Sequence, residues 1–407
     1  MNRSEITALF SRTTLVAAFS LGLASAAVAA PSQKAVDIAH KYPIVDGHID
    51  VPYRMQNRWE DVTGATEGGD FDYPRAAKGG LDAPFMSIYI PATKEGKGAK
   101  ELADVLIDQV EAIVYRAPTK FAIARTSKDI RDNFADKKIS LPLGMENGAA
   151  IEGNIDNIQH FYDRGIRYIT LAHSKANHIS DSSYDESKIW DGLSPFGVEM
   201  VKEMNRLGIM IDISHVSDAA FYQALEVSQV PVIASHSSLR HFTPELERNV
   251  DDKMLKALAD NDGVIMINFG SFFLTEAAMN WSNKHSAAKA AFEKLQGDNL
   301  TEQASADFSK AYKQRFPYPF ATTADVIKHI DRAKKLVGIN HIGLGSDYDG
   351  VGDTLPQGLK DVSTYPVLID ALLKRGYSER DIAKILGGNV LRVMEAVEAF
   401  AEKQKKS

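Results

Sequence analysis

Short apolar runs separated by longer amphipathic stretches recur along this chain. The runs fall at Ile44–Val45, Met86–Ile90, Leu141–Met145, Tyr168–Leu171, Met210–Ile213, Val232–Ala234, Val264–Asn268 and Ile342–Gly345. They are short for helices and lack the apolar–polar alternation of a half-buried strand, so they predict strands covered on both faces. Between most of them the apolar positions repeat with helical spacing, as over Ala103–Tyr115, Phe196–Leu207, Ala219–Val227, Asp252–Ala259 and Ala324–Val337. Strand alternating with helix predicts a parallel sheet, and eight such units predict an α/β fold of the closed (β/α)8, TIM-like kind.

Two stretches exceed ordinary loop length. Residues 56–84 are rich in Gly and Asp and are expected to form a surface excursion. Residues 271–319 carry helical patterns and end in the aromatic, Pro-rich Phe316-Pro317-Tyr318-Pro319-Phe320. Long insertions after strands often serve as lids or substrate walls. After the last strand, Thr364–Arg375 and Ser378–Glu402 read as closing helices, with Ser378 and Asp381 placed to cap the second.

Polar residues follow the strands in a consistent way. Asp46-Gly47-His48-Ile49-Asp50 comes after the first run, and Glu146 ends the third. His173 follows the fourth, His215 the fifth and His236 the sixth, while Asp347 follows the eighth. In a parallel barrel these positions share the rim at the strand C-termini, where active sites of this architecture sit. Taken singly, each has a bland reading: a packed histidine, a helix cap, a turn aspartate beside Gly350. Jointly they place four of the eleven histidines and several carboxylates in one bowl. Histidine with carboxylate suits zinc and related divalent ions, and a shared carboxylate allows two ions to lie close together. The remaining seven histidines (His40, His160, His178, His241, His285, His329, His341) fall within helices, long loops or before strands and read as structural or surface residues.

Composition narrows the setting. Arg3 and Arg12 precede a small-residue apolar run from Thr14 to Ala30, and Ala27-Val28-Ala29 offers a small-x-small cleavage site, the pattern of a secretory leader over residues 1–29. The competing reading is an uncleaved anchor. With a leader removed, residues 30–407 are expected to form a single barrel domain in the periplasm or outside the cell. The chain has no cysteine. It therefore has neither disulfides nor a lipoprotein attachment site, and any metal must be held by nitrogen and oxygen. A net charge of −7, with both signs interspersed, gives no basic stripe for nucleic acid and no cluster for anionic lipid.

At these residues the chain resembles the renal, or membrane, dipeptidase family of metal-dependent amidohydrolase barrels. The resemblance lies in Asp46-Gly47-His48-Ile49-Asp50, residues 144–148, Asp212 to His215, Ser235-His236-Ser237-Ser238, Arg248-Asn249-Val250 and residues 345–350. Gly358-Leu359-Lys360-Asp361-Val362-Ser363 and Gly388-Asn389-Val390-Leu391-Arg392-Val393 extend it toward the C-terminus. It implies two zinc ions, one on His48, Asp50 and Glu146, the other on Glu146, His215 and His236, with Glu146 bridging. It further implies that a metal-bridging water attacks the peptide carbonyl of a dipeptide, that Asp347 handles the proton, and that His173 stabilises the oxyanion. Arg248 would grip the substrate carboxylate, with Tyr53 beside the substrate, and a homodimer is a further expectation. The chain departs from mammalian members in lacking their disulfides and C-terminal apolar tail, and in carrying Gly270-Ser271-Phe272-Phe273 where a Tyr-containing stretch is usual. Fold does not fix reaction. A lactonase, deacetylase or aminohydrolase on the same barrel, or a non-catalytic periplasmic peptide-binding protein, are the alternatives; a carboxylate clamp at Arg248 separates the first group, and a complete ligand set the second.

Overall fold

The computed structural model describes residues 30–406; the leader expected over residues 1–29 lies outside them. Eight strands form a closed barrel: β1 Ile44–Ile49, β2 Leu81–Tyr89, β3 Leu143–Glu146, β4 Ile166–Thr170, β5 Met210–Asp212, β6 Ile233–Ser237, β7 Val264–Ile267 and β8 Ile342–Leu344. Every neighbouring pair is parallel, and the seam closes where Asp46 of β1 pairs with Leu344 of β8. Helices Ala99–Arg116, Asp156–Arg164, Pro195–Leu207, Asp218–Val227, Asp252–Asp260 and Thr323–Val337 run between successive strands. The expected barrel is therefore present, in the expected strand order.

The apolar runs are unbroken because both faces of each strand are covered. On β7, Ile265 and Ile267 belong to the large cluster under the outer helices, whereas Val264 and Met266 pack with Val45, Phe85, Tyr168, Met210 and Ile233 in a second cluster. Strand ends differ from the pattern reading for identifiable reasons. β1 continues past Val45 to Ile49 because Gly47 carries no side chain: a Cβ there would stand 2.4 Å from the Ser235 carbonyl oxygen. β2 begins at Leu81, before the run at Met86, since Asp82 and Pro84 conceal its start. Pro142 divides the third run, so Ile139–Leu141 pairs with Phe121–Ile123 in a separate parallel ribbon and only Leu143–Glu146 enters the barrel.

The excursion after β1 is partly ordered by helices Val51–Asn57 and Tyr73–Gly79, the second capped by the Asp72 side chain, and it buries Val62 and Phe71. The insertion after β7 forms helices Ser271–Leu274, Glu276–Gln296 and Glu302–Arg315 with an apolar nucleus of its own, Ala288, Phe292, Phe308 and Tyr312. The last closing helix is not continuous. Ser378 caps Glu379–Ala383 as expected, but a π-helical turn, Lys384–Gly388, follows before Asn389–Lys406. Among the described residues no helix is long and apolar enough to cross a membrane.

Candidate metal centre

All eight strands point their C-terminal ends to one rim, and the predicted polar residues gather there. Glu146 is buried at the end of β3 with its two oxygens facing different partners. Oε2 lies 3.4 Å from His48 Nε2, which is itself 3.4 Å from Asp50 Oδ2. Oε1 lies 3.0 Å from His215 Nε2, 3.2 Å from His236 Nε2 and 3.5 Å from His173 Nε2. His215 and His236 bring their Nε2 atoms within 2.8 Å of each other, and the rings of His48 and His236 stack at 3.9 Å.

The backbone is bent to achieve this. His215 and Asp347 adopt positive φ values of 70° and 63°, a conformation that non-glycine residues rarely take and that concentrates at functional sites. Asp347 is buried, its amide donates to the His48 carbonyl, and its Oδ2 accepts from Asn268 Nδ2 at 2.8 Å. Burial, with Asp50 nearby, pushes its carboxyl up to about 7.

Three overlapping groups have ligand atoms close enough to share an ion: His48, Glu146 and His236; Glu146, His173 and His215; His48, Asp50 and Asp347. Burial, reinforced by the Arg248 charge, holds His215 and His236 well below the ordinary histidine range, so both present neutral nitrogens. Burial opposes the charged form of Glu146, yet His48 and His173 outweigh it and hold the carboxyl well below its usual range. Among the described residues His48 Nε2 has no hydrogen-bond partner although it is buried. Neutral imidazole nitrogens converging on a buried carboxylate, with a donor atom left over, fit divalent cations.

A cavity of about 670 Å³ opens above these groups, lined by Asp50, Glu146, His173, His215, His236 and Asp347 on its floor. Its walls are mostly aromatic. Tyr53 meets Tyr89 edge-on at 4.9 Å, Tyr89 meets His173 at 4.8 Å, and Phe272, Phe273 and Val351 also line the cavity. Ser282, from the helical insertion, reaches the same cavity, so the insertion supplies part of the wall.

Arg248 sits differently from a surface arginine. It is buried behind the wall, donating from Nη1 to Ser237 Oγ and from Nη2 to the His236 carbonyl, both at 2.7 Å, with Phe273 5.5 Å from the guanidinium carbon. Its Nε has no partner among the described residues. None of the other seven histidines joins the cluster among the described residues. His329 is buried and structural, His178 pairs with Glu95, His160 with Asp104, and His341 with the Gly263 carbonyl.

Sequence reasoning passed over two phenols. Tyr89 ends β2, and burial next to Glu146 raises its hydroxyl. Tyr184 is partly exposed, but burial of its hydroxyl pushes it up to about 12. Tyr89 was detectable as the aromatic at a strand end; nothing in the periodicity marks Tyr184.

A family model described as membrane dipeptidase (peptidase family M19) matches residues 32–407. Dipeptidase 3 of Mus musculus is 33% identical over 380 residues, spanning 91% of this chain and 68% of its own length. Dipeptidase tcpJ of Claviceps purpurea is 32% identical over 394 residues, 90% of this chain and 81% of that one. Among solved structures, the probable dipeptidase PvdM of Pseudomonas aeruginosa superposes with a TM-score of 0.79 at 26% identity, covering 91% of this chain and 98% of its own. The match runs through the barrel and every rim segment described above, and the chain belongs to the membrane dipeptidase family, peptidase family M19.

Proposed function

We propose that this protein hydrolyses dipeptides with two zinc ions, one held by His48, Asp50 and Glu146 and the other by Glu146, His215 and His236. The observation that carries this reading is the division of Glu146, whose Oε2 faces His48 and whose Oε1 faces His215 and His236. Zinc, when bound, supplies Lewis-acid polarisation and lowers the pKa of water.

The chain's own groups account for the remaining steps. Asp347, with Oδ2 engaged by Asn268, offers Oδ1 to take the proton of the attacking water and return it to the leaving amine. A carboxyl titrating near neutrality suits both halves of that transfer. His173 projects Nε2 toward the floor and is placed to donate to the carbonyl oxygen as charge develops on it. Arg248 puts a buried cation, without a carboxylate partner among the described residues, beside the cavity, and its Nε–H together with the second N–H of each Nη is left for a substrate carboxylate. A walled bowl with one such clamp suits a dipeptide better than a longer chain. The apolar run at residues 14–30 further supports export with loss of the leader.

Release of amino acids from a panel of L-L and L-D dipeptides, with tripeptides and a chelator-treated sample alongside, tests the reading. Cleavage confined to dipeptides and abolished by the chelator is the expected result. Turnover of lactones or acetylated amines without dipeptide cleavage overturns it. N-terminal sequencing of exported protein tests the leader.

A further inference from the structure

The four rim histidines are not supported alike. Among the described residues Nδ1 of His173 and Nδ1 of His215 have no hydrogen-bond partner, and Nδ1 of His48 meets the Tyr168 hydroxyl at 2.8 Å. His236 alone among the four is backed by a chain that ends in a charge. Its Nδ1 lies 2.7 Å from Ser235 Oγ, and Ser235 Oγ lies 2.6 Å from Asp212 Oδ2. All three residues are buried.

The direction of the protons in this chain follows from the donor inventory. Asp212 also accepts from the Ser214 and Ser235 amides, at 3.0 and 2.8 Å through Oδ1, and from Thr170 Oγ1 at 2.5 Å through Oδ2. A carboxylate surrounded by four donors is an acceptor only. The Ser235 hydroxyl proton is therefore committed to Asp212, and its oxygen is left to accept. The Nδ1 of His236 must then carry the proton, which leaves the Nε2 lone pair directed at Glu146 and the floor of the bowl.

The same carboxylate sets distance as well as tautomer. By taking the amides of Ser214 and Ser235 on one oxygen, Asp212 fastens the ends of β5 and β6 to each other, and these ends carry His215 and His236. The Ser214 hydroxyl extends the tie, accepting the His236 amide at 3.2 Å and meeting Ser237 Oγ at 3.1 Å, the hydroxyl to which Arg248 donates.

We infer that Asp212 and Ser235 are positioning residues that fix His236 as its Nδ1–H tautomer and set the His215–His236 spacing for metal binding. This rests on the metal assignment above and adds to it the residues that make one ligand ready before an ion arrives. Partners behind metal-ligating histidines orient the ring and raise its basicity, and losing them commonly costs about 10–100-fold in affinity.

The variants Ser235→Ala and Asp212→Asn separate this from plain packing. Asn at 212 presents an amide NH₂ that turns the Ser235 hydroxyl round to donate to Nδ1, placing the imidazole proton on Nε2, where it blocks coordination. Two measurements are made on full-length mature protein: long-range ¹H–¹⁵N spectra of the metal-free form, which report the protonated nitrogen of each imidazole, and zinc titration against a chromophoric chelator. The expected results are Nδ1–H at His236 in the parent, about 10–100-fold weaker zinc binding in S235A with thermal unfolding of the metal-free protein little changed, and a larger loss in D212N accompanied by Nε2–H. Nε2–H at His236 in the parent, or unchanged zinc affinity in S235A, overturns the inference. Should D212N fail to fold, S235A and the parent spectrum still decide. A parent that binds no zinc contradicts the metal assignment instead, and the tautomer spectrum then judges the relay by itself.

Discussion

Asp70 and Asp349, 279 residues apart, each accept the backbone amide of the other, at 2.8 and 2.6 Å. Arg54 adds its Nη1 to both oxygens of Asp349, at 3.0 and 2.9 Å, and its Nη2 to the Phe71 carbonyl. The excursion after β1 is thereby clamped to the loop that carries Asp347. Burial and the facing Asp349 push the Asp70 carboxyl up to about 7, so the clamp depends on the arginine to offset the paired carboxylates. Arg54→Ala leaves Asp349 buried without its cation and is expected to cost about 3–5 kcal/mol, read as a lower urea midpoint, with kcat falling more than KM rises. Unchanged stability would show the clamp to be ornamental.

Replacing Glu146 by Gln removes the charge that both sets of ligands face. Metal analysis of the purified variant is expected to show at least one zinc equivalent lost per chain. A full complement of metal in E146Q contradicts the bridging role.

Asp347→Asn retains the Asn268 contact but cannot shuttle a proton. The expected drop in kcat is about 10²–10⁴-fold with metal content unaltered. Full activity in D347N would reassign proton transfer to another group.

His329 makes a pH prediction for stability. Its Nδ1 accepts from the Leu239 amide and its Nε2 donates to the Leu274 carbonyl, both at 3.0 Å, so it is neutral in the fold. Burial lowers it to about 4. The unfolded chain takes up this proton below about pH 6.5 and the folded chain does not until about 4, so stability falls with pH across that window and is fully present above it. The group alone accounts for about 3 kcal/mol between those limits. In urea titrations, His329→Gln is expected to be less stable than the parent at pH 7.5, and the gap should close toward pH 5. A constant gap would mean that His329 titrates normally.

Besides Tyr53 and Tyr89, the cavity is lined by the apolar side chains of Phe272, Phe273 and Val351. Dipeptides with large apolar side chains should therefore be preferred over Gly-Gly. Phe272→Ala should reduce that preference in kcat/KM by about 10-fold or more. An unaltered ranking would place the substrate side chain elsewhere.

Much of this was legible in the chain. The strand order, and the polar residues following six of the strands, came from apolar periodicity and from where His48, Glu146, His173, His215, His236 and Asp347 fall. What could not be read depended on register between strands. Asp212 looks like any aspartate at a strand end until β5 and β6 are aligned so that it meets Ser235. Arg248 was expected to grip the substrate carboxylate, but only the fold puts it behind His236 without an acidic partner among the described residues. Tyr184 lies in a loop whose path is set by Asp181, which gathers the amides of Ile189, Trp190 and Gly192, a tertiary arrangement without a sequence period.

The seam of the barrel has a consequence for how the molecule is made. Asp46 and Ser346 hydrogen-bond across it although they stand 300 residues apart. A growing chain that has released β1 to β7 still carries two unpaired sheet edges, at β1 and β7, with His48 lacking its neighbour from the last strand. Exposed edges of that kind invite pairing with other chains. Ring closure therefore waits for β8, which seals the sheet and completes the bowl in the same stroke. A protein stopped short of β8 would be prone to aggregate as well as inactive.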